Sequence, residues 1–422
     1  MACPVCFFRE NYQKQLKFNS FNNARFEKKI KKYKIDFIEG VHKMESQAIC
    51  ECGKLYPHRA MIDWTDNFRT NLQNSEHIIQ EAFDSIISVY DDFISKNPKL
   101  AVDNLWNYLD RNKLLSSTES SFTLAKLYFR ARKRNGFNAQ NIEGQFHIPF
   151  AERYKIRNQR FSVSGQPLLY LGSSIICVVK EMQLDLKNLS IVGFLPKYSE
   201  FYTSRIYNLK NSLNDCIENA LPGLFEYKLE IKYTDIDVTP SQNTIKNDIY
   251  NTILFQLCTF PVEQYGSFVA EYIIPQILTT SLLEHNYQGV VFPSTKDYSD
   301  MSGNHRFSTH HINLGLFVPY VDTDGINNDF LNKFSIFILN GTEDIKFTTQ
   351  DIFQKVNEIK NNRNYNILTN DHKMALAQMD LQLQYLSNAL INGVKYYETE
   401  IGKYELGFYM KMLLQFEMLT NN

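Results

Sequence analysis

An α+β architecture is what this sequence predicts, and three observations carry the prediction. Between Leu124 and Phe317, short apolar runs that read as strands alternate unevenly with longer amphipathic stretches that read as helices. The segments on either side of that region have a helical period. The chain has 422 residues, more than one hydrophobic core usually serves, so two to four structural units are expected.

Composition narrows the class. A hydrophobic share of 44% with 22% charged residues is that of a soluble globular protein. A net charge of −1 gives no basic field for nucleic acid and no acidic excess for disorder. No stretch approaches the ~20 apolar residues of a membrane span, and the most apolar window contains Glu271, Pro275 and Gln276. Cys3, Cys6, Arg9 and Glu10 stand where a signal peptide would carry its apolar run, so a cytoplasmic protein is expected. Cys177, Cys216 and Cys258 sit singly in apolar segments, as small buried hydrophobes do in a reducing compartment.

The elements follow in chain order. Cys3-Pro-Val-Cys6 and Cys50-Glu-Cys52 flank a basic stretch, Glu27 to Lys34. Two close thiol pairs are the usual material of a closed tetrahedral zinc site, so Cys3, Cys6, Cys50 and Cys52 are read as ligands of a structural zinc. The second pair is tighter than the common Cys-x-x-Cys, and His42 or His58 could replace one ligand. Ile78, Ile79, Ala82, Phe83, Ile86, Ile87 and Tyr90 recur at helical steps; Pro98 ends that helix and Asp103 begins another. The Ser/Thr cluster Ser116–Ser121 reads as a linker. Strands are expected at Leu127–Ala131, Leu168–Leu171, Ser190–Phe194, Glu226–Tyr233, Gly289–Pro293 and Leu314–Pro319, with one more at Phe334–Leu339. Helices are expected at Ser173–Gln183, Glu200–Ala220, Thr244–Leu257 and Phe268–Glu284, and again in the tail.

Several residues could carry chemistry, and each has a plainer reading. Arg130 and Arg132 share a strand face with Tyr128; that face is either a solvated basic edge or a pyrophosphate grip. Arg160 precedes a shaped Ser-Gly-Gln-Pro turn, where an arginine is ordinarily solvated. Tyr170 is a core tyrosine or a platform for a flat ring. In its helix, Ile175, Ile176, Val179 and Met182 form the apolar stripe, which leaves Ser174, Cys177 and Glu181 on the other side, facing water or a cleft. Ser294 closes an abrupt strand end, as turn chemistry or as a site residue. His305, His310 and His311 lie in a polar loop and are not read as a metal site. The chain has no phosphate loop, no dinucleotide fingerprint and no nucleophile elbow. The helical segment around 63–115 contains no Arg-x4–6-His pattern, Arg69 and His77 being too far apart, so no ribonuclease role is read for it.

In order and spacing these pieces resemble the RES domain, named for Arg, Glu and Ser. The matching residues are Tyr128-x-Arg130, Arg160-Phe-Ser followed by Gly165-x-Pro-x-x-Tyr170-Leu-Gly, Glu181, Glu271-Tyr-Ile-Ile-Pro-Gln, Gly289-Val-Val-Phe-Pro-Ser294 and Asn313-Leu-Gly-Leu-Phe. They span Leu124 to Val318. The cysteine-bearing helical leader resembles that of long bacterial RES proteins with a HEPN-like region. The resemblance implies an ADP-ribosyltransferase-like RES core with zinc-stapled helical N-terminal and helical C-terminal extensions. The implied division is a cysteine-rich region over 1–60, a helical region over 61–120, the RES domain over 121–320 and a helical region over 321–422. It implies a bacterial toxin or antiviral effector that splits the nicotinamide–ribose bond of NAD+, or transfers ADP-ribose to a protein from the same site. A non-catalytic adaptor is the third alternative. By resemblance, Arg130, Tyr170, Glu181 and Ser294 are catalytic, and Arg132 and Arg160 bind substrate. An antitoxin or regulatory partner is implied, a homo-oligomer stays open, and neither membrane nor nucleic acid is expected.

Overall fold

The computed structural model describes residues 2–20, 25–52, 59–134, 142–220, 242–263, 266–296, 301–302, 311–339 and 347–421. His58, His305, His310 and the strand read at Glu226–Tyr233 fall outside these residues. The fold is mixed α/β and divides into two units that interleave along the chain. One comprises Met1–Ser117, Asn158–Val163 and Leu209–His285; the other comprises Thr118–Arg157, Ser164–Asn208 and Asn286–Asn422. The Ser/Thr cluster read as a linker contains the first crossing between them.

The first unit is helical among the described residues. Its helix Phe26–His42 buries Phe26, Ile30, Tyr33, Phe37 and Val41, a three- and four-residue stripe. Phe7 and Phe8 insert edge-on against Phe37, and the space for Phe7 exists because residue 40 is glycine. The buried ammonium of Lys29, on the same stripe, is neutralised by Glu263 at 2.5 Å and Glu271 at 3.6 Å. Helix Glu76–Ser95 buries the apolar positions read from its period. The next helix starts at Pro98, not at Asp103: proline occupies the first turn, where its missing N–H is no loss, and Asn97 caps it by accepting from the Lys99 N–H at 2.9 Å.

The second unit is built on a seven-stranded sheet. Its strands are β1 (Tyr128–Lys133), β2 (Leu168–Gly172), β3 (Leu189–Pro196), β4 (Ile206–Asn208), β5 (Gly289–Pro293), β7 (Ile312–Phe317) and β8 (Phe334–Ile338), in the order β4-β5-β7-β2-β1-β3-β8. A short strand β6 (Met301–Ser302) pairs elsewhere, with β9 (Leu390–Ile391), which also pairs with β10 (Val394–Lys395). Only β4 and β5 run parallel in the main sheet. One face of the sheet packs on helices Ile175–Met182, Thr349–Lys360, Asn370–Asn388 and Glu400–Asn421, through Phe129, Ile191, Phe337, Leu376 and Phe408. The other face holds Tyr128, Val192, Phe194, Leu169, Leu171 and Leu314 around Phe146 and Phe330.

The continuous helix expected over Glu200–Ala220 does not form. It is divided into Tyr198–Phe201, strand β4 and Ser212–Ala220. Ile206 and Tyr207 are fully buried, and β4 completes the ladder beside β5, a tertiary pairing that overrides local helical period.

Candidate functional site

Glu181 is placed by the turn from β2 into helix Ile175–Met182. The ladder between β2 and β7 ends at Gly172↔Asn313. Ser173 then extends the pairing, donating its N–H to the Ile312 carbonyl at 3.0 Å and accepting the Ile312 N–H on Oγ at 3.1 Å. A Cβ on residue 172 would lie 2.7 Å from Val178 Cγ1, so glycine there lets the helix return tightly over the strand. Ser174 caps the helix by accepting from the Cys177 N–H at 3.2 Å. Cys177 and Glu181, one turn apart, both reach Asn313: the thiol lies 3.6 Å from its Oδ1, and its Nδ2 donates to Glu181 Oε1 at 2.9 Å.

Ser294 completes this corner. It follows β5, and its N–H donates to the His311 carbonyl at 2.7 Å. Its hydroxyl donates to the same Glu181 Oε1 at 2.6 Å, across 113 positions of sequence. Ser294 and Asn313 are buried, whereas the Glu181 side chain keeps 32% of its surface exposed. One carboxylate oxygen is therefore saturated by two buried donors. The other, Oε2, has Lys296 Nζ at 4.0 Å. This is a fixed, oriented negative charge. Tyr170 shares this side of the sheet: the register Tyr170↔Gly315 and Phe292↔Asn313 sets the Tyr170 and Phe292 rings edge-to-face at 6.1 Å.

The arginines of β1 are held differently. Strands β1 and β2 join at one ladder position, Phe129↔Gly172. By alternation Arg130 and Arg132 project to the face of Val192 and Ser190, opposite to that of Tyr170 and Asn313. Arg130 nonetheless donates through the open seam to the Tyr170 carbonyl at 2.8 Å. Its Nε is buried without a hydrogen-bond partner among the described residues, as is the Tyr128 hydroxyl on the same face. Burial, and then the like charge of Arg132, pulls the Arg130 guanidinium well below its ordinary range. Such a cation is one that an anionic ligand would relieve. Arg132 donates to the Phe146 carbonyl at 3.2 Å. Arg160 belongs to the first unit, where it donates to the Cys258 carbonyl at 2.9 Å and lies over the Tyr272 ring at 5.2 Å.

The structure thus brings Glu181 to Ser294 and Arg130 to the Tyr170 backbone. Asn313 lies in the matching pattern without a role of its own there, and Lys296 is given none; the signal at Asn313 is a polar residue beside an apolar run.

The cysteines form a separate centre in the first unit. Cys3 precedes the short helix Pro4–Phe7, its carbonyl accepting the Phe7 N–H at 2.9 Å, which places Cys6 one turn on; Cys50 follows a turn held by its N–H to the Gln47 carbonyl at 3.2 Å. The four sulfurs lie within 4.8 Å of one another, with Cys3–Cys52 at 3.2 Å, Cys50–Cys52 at 3.6 Å and Cys6–Cys50 at 3.8 Å. A tetrahedron of thiolates about zinc has edges of about 3.8 Å, so the donor set can hold such an ion. Hydrogen bonds from Cys3 and then Cys52 draw the Cys6 thiol down, while the bonds to Cys52 and then Cys6 raise the Cys3 thiol, so these sulfurs share protons as one cluster. His42 is instead paired with Glu76 at 3.0 Å. No helix among the described residues is long and apolar enough to cross a membrane.

Neither a family model nor a solved structure matches the chain. It is 24% identical over 283 residues to a protein of Bacillus subtilis (strain 168) named "Putative toxin YopC", a match covering 62% of this chain and 54% of that protein. The chain therefore spans about half the length of the curated relative it resembles.

Proposed function

We propose that the protein is a toxin whose second unit cleaves the nicotinamide–ribose bond of NAD+, on an ADP-ribosyltransferase-like RES core. The observation that carries this reading is the Ser294–Asn313–Glu181 cluster. It holds one carboxylate oxygen in place and leaves the other to face a substrate. Breaking a glycosidic bond builds positive charge on the ribose ring, and a preorganised carboxylate beside that ring lowers the barrier. Glu181 Oε2 would take the ribose hydroxyls and face the oxocarbenium-like centre. Ser294 would orient Glu181, and Tyr170 would pack on the nicotinamide. Arg130, with its unpaired Nε, would engage a phosphate or ribose oxygen at the seam, with Arg132 beside it. The arrangement does not need Arg160, whose guanidinium is engaged in the first unit. The similarity to a protein named a toxin supports the toxin role and suggests a neutralising partner.

Cys3, Cys6, Cys50 and Cys52 would hold a structural zinc. Four thiolates leave no open coordination position, so the ion would supply stability and no chemistry.

The test is product analysis by mass spectrometry after incubation with NAD+, with and without phosphate. Free nicotinamide is expected, and Glu181→Gln, folded, is expected to lose at least ~100-fold in rate. Label transferred from NAD+ to protein would indicate the transferase instead. No binding of NAD+ by calorimetry would leave an adaptor.

A further inference from the structure

We propose that Glu405 is a positioning residue for the Glu181–Ser294 pair, which makes the helix Glu400–Asn421 part of the site. Glu405 has no exposed surface, yet it lies in the middle of an apolar core. Its Oε2 accepts the N–H of Ile175, the first residue of the helix that carries Glu181, at 2.8 Å. The same oxygen accepts the Tyr396 hydroxyl at 2.5 Å, and Oε1 accepts the Tyr409 hydroxyl at 3.3 Å. A carboxylate is a poor choice for a merely apolar position, because burying it demands donors. Here the donors include a helix N-terminus, where negative charge is favoured and an amide would otherwise be orphaned.

The other half of the pair is tied to the same cluster. Tyr396 packs against Tyr385 at 6.0 Å, the Tyr385 hydroxyl meets His311 Nε2 at 3.3 Å, and the His311 carbonyl receives the Ser294 N–H at 2.7 Å. Glu405 thus fixes the start of one element directly and the strand end opposite it through two rings and an imidazole. The geometry has little slack: a Cβ on Gly402, one turn before Glu405, would fall 1.9 Å from the Tyr396 carbonyl oxygen. The titratable groups facing the carboxyl are Tyr396, Tyr409 and Tyr385, the last also near Cys177 of the capped helix. Burial pushes the Glu405 carboxyl up to about 7, against the pull of its three donors, so its charge changes near neutrality.

Two readouts on the full chain test this. One is hydrogen exchange of the peptide covering 175–182, which is independent of any activity. The other is nicotinamide release, which rests on the function proposed above. Glu405→Ala is expected to lower protection of that peptide about tenfold and to reduce kcat by a similar factor with KM nearly unchanged. Glu405→Gln keeps an acceptor for Ile175. It is expected to recover most protection and to lack the change in protection between pH 6 and pH 8 that is expected of the parent chain. Unchanged protection in Glu405→Ala overturns the proposal. If that variant does not fold, a Glu405→Gln protein with the parent's pH dependence overturns it. A parent chain that releases no nicotinamide defeats the proposed function, while the exchange experiment still judges Glu405.

Discussion

Glu181 owes its position to two donors, not to the period of its helix. The period leaves it off the apolar stripe, facing either water or a cleft. Only the ladder β2–β7–β5 shows that Asn313 and Ser294 converge on one of its oxygens. This is why Arg130, Tyr170, Glu181 and Ser294 could be given roles from sequence while Asn313, though part of the matching pattern, could not: its role depends on a register that links residues 132 positions apart. The two donors should not be equivalent. Ser294→Ala removes one bond to Glu181 Oε1 and is expected to slow the proposed release of nicotinamide about tenfold. Asn313→Asp sets a second carboxylate against Glu181, and is expected to be worse than Asn313→Ala. Steady-state rates of the three purified variants check the order, and equal losses for Asp and Ala would remove the charge argument.

Among the elements, the cluster of four cysteines was legible because the thiols come in close pairs, and a spacing of this kind survives without knowledge of the fold. What the sequence did not reveal was the setting. A cysteine-rich leader suggests a unit too small for a core, yet Phe7 and Phe8, adjoining the knuckle, are fully buried among Phe37 and Phe68. The ion would therefore pin the knuckle to an existing aromatic core. We expect about one zinc per chain by elemental analysis. Stripping it with a chelator, or replacing Cys52 by Ala, should speed hydrogen exchange around residues 2–20 and 44–52, with little change in the exchange of the sheet. Element boundaries were least legible where tertiary pairing decides, as at β4, whose ladder with β5 interrupts a run that looks helical.

For the molecule as a whole, stability against pH turns on carboxyls that burial raises. Asp215 and Asp248 in the first unit are each pushed up to about 6, chiefly by desolvation, with Lys210 pulling the other way. A carboxyl raised in the folded state favours folding most when protonated. Its contribution is complete below the unfolded value near 4 and is lost as pH rises through about 6. Asp215→Asn removes that loss. Its Tm should match the parent at pH 4 and exceed it by roughly 2–4 °C at pH 8; thermal scans at both values check this, and an equal shift at both would refute it. The uneven alternation of helix and strand made the mixed class legible. The interleaving of two units was not, because nothing local records that 158–163 and 209–285 return to the helical unit. That interleaving has a consequence during synthesis. Strands β1 to β3 leave the ribosome long before β5 and β7, and the carboxylate that holds Ile175 emerges later still. A nascent chain would thus carry every strand of its sheet yet lack its anchor, so the carboxylate of Glu181 would be held in place only once Glu405 has emerged.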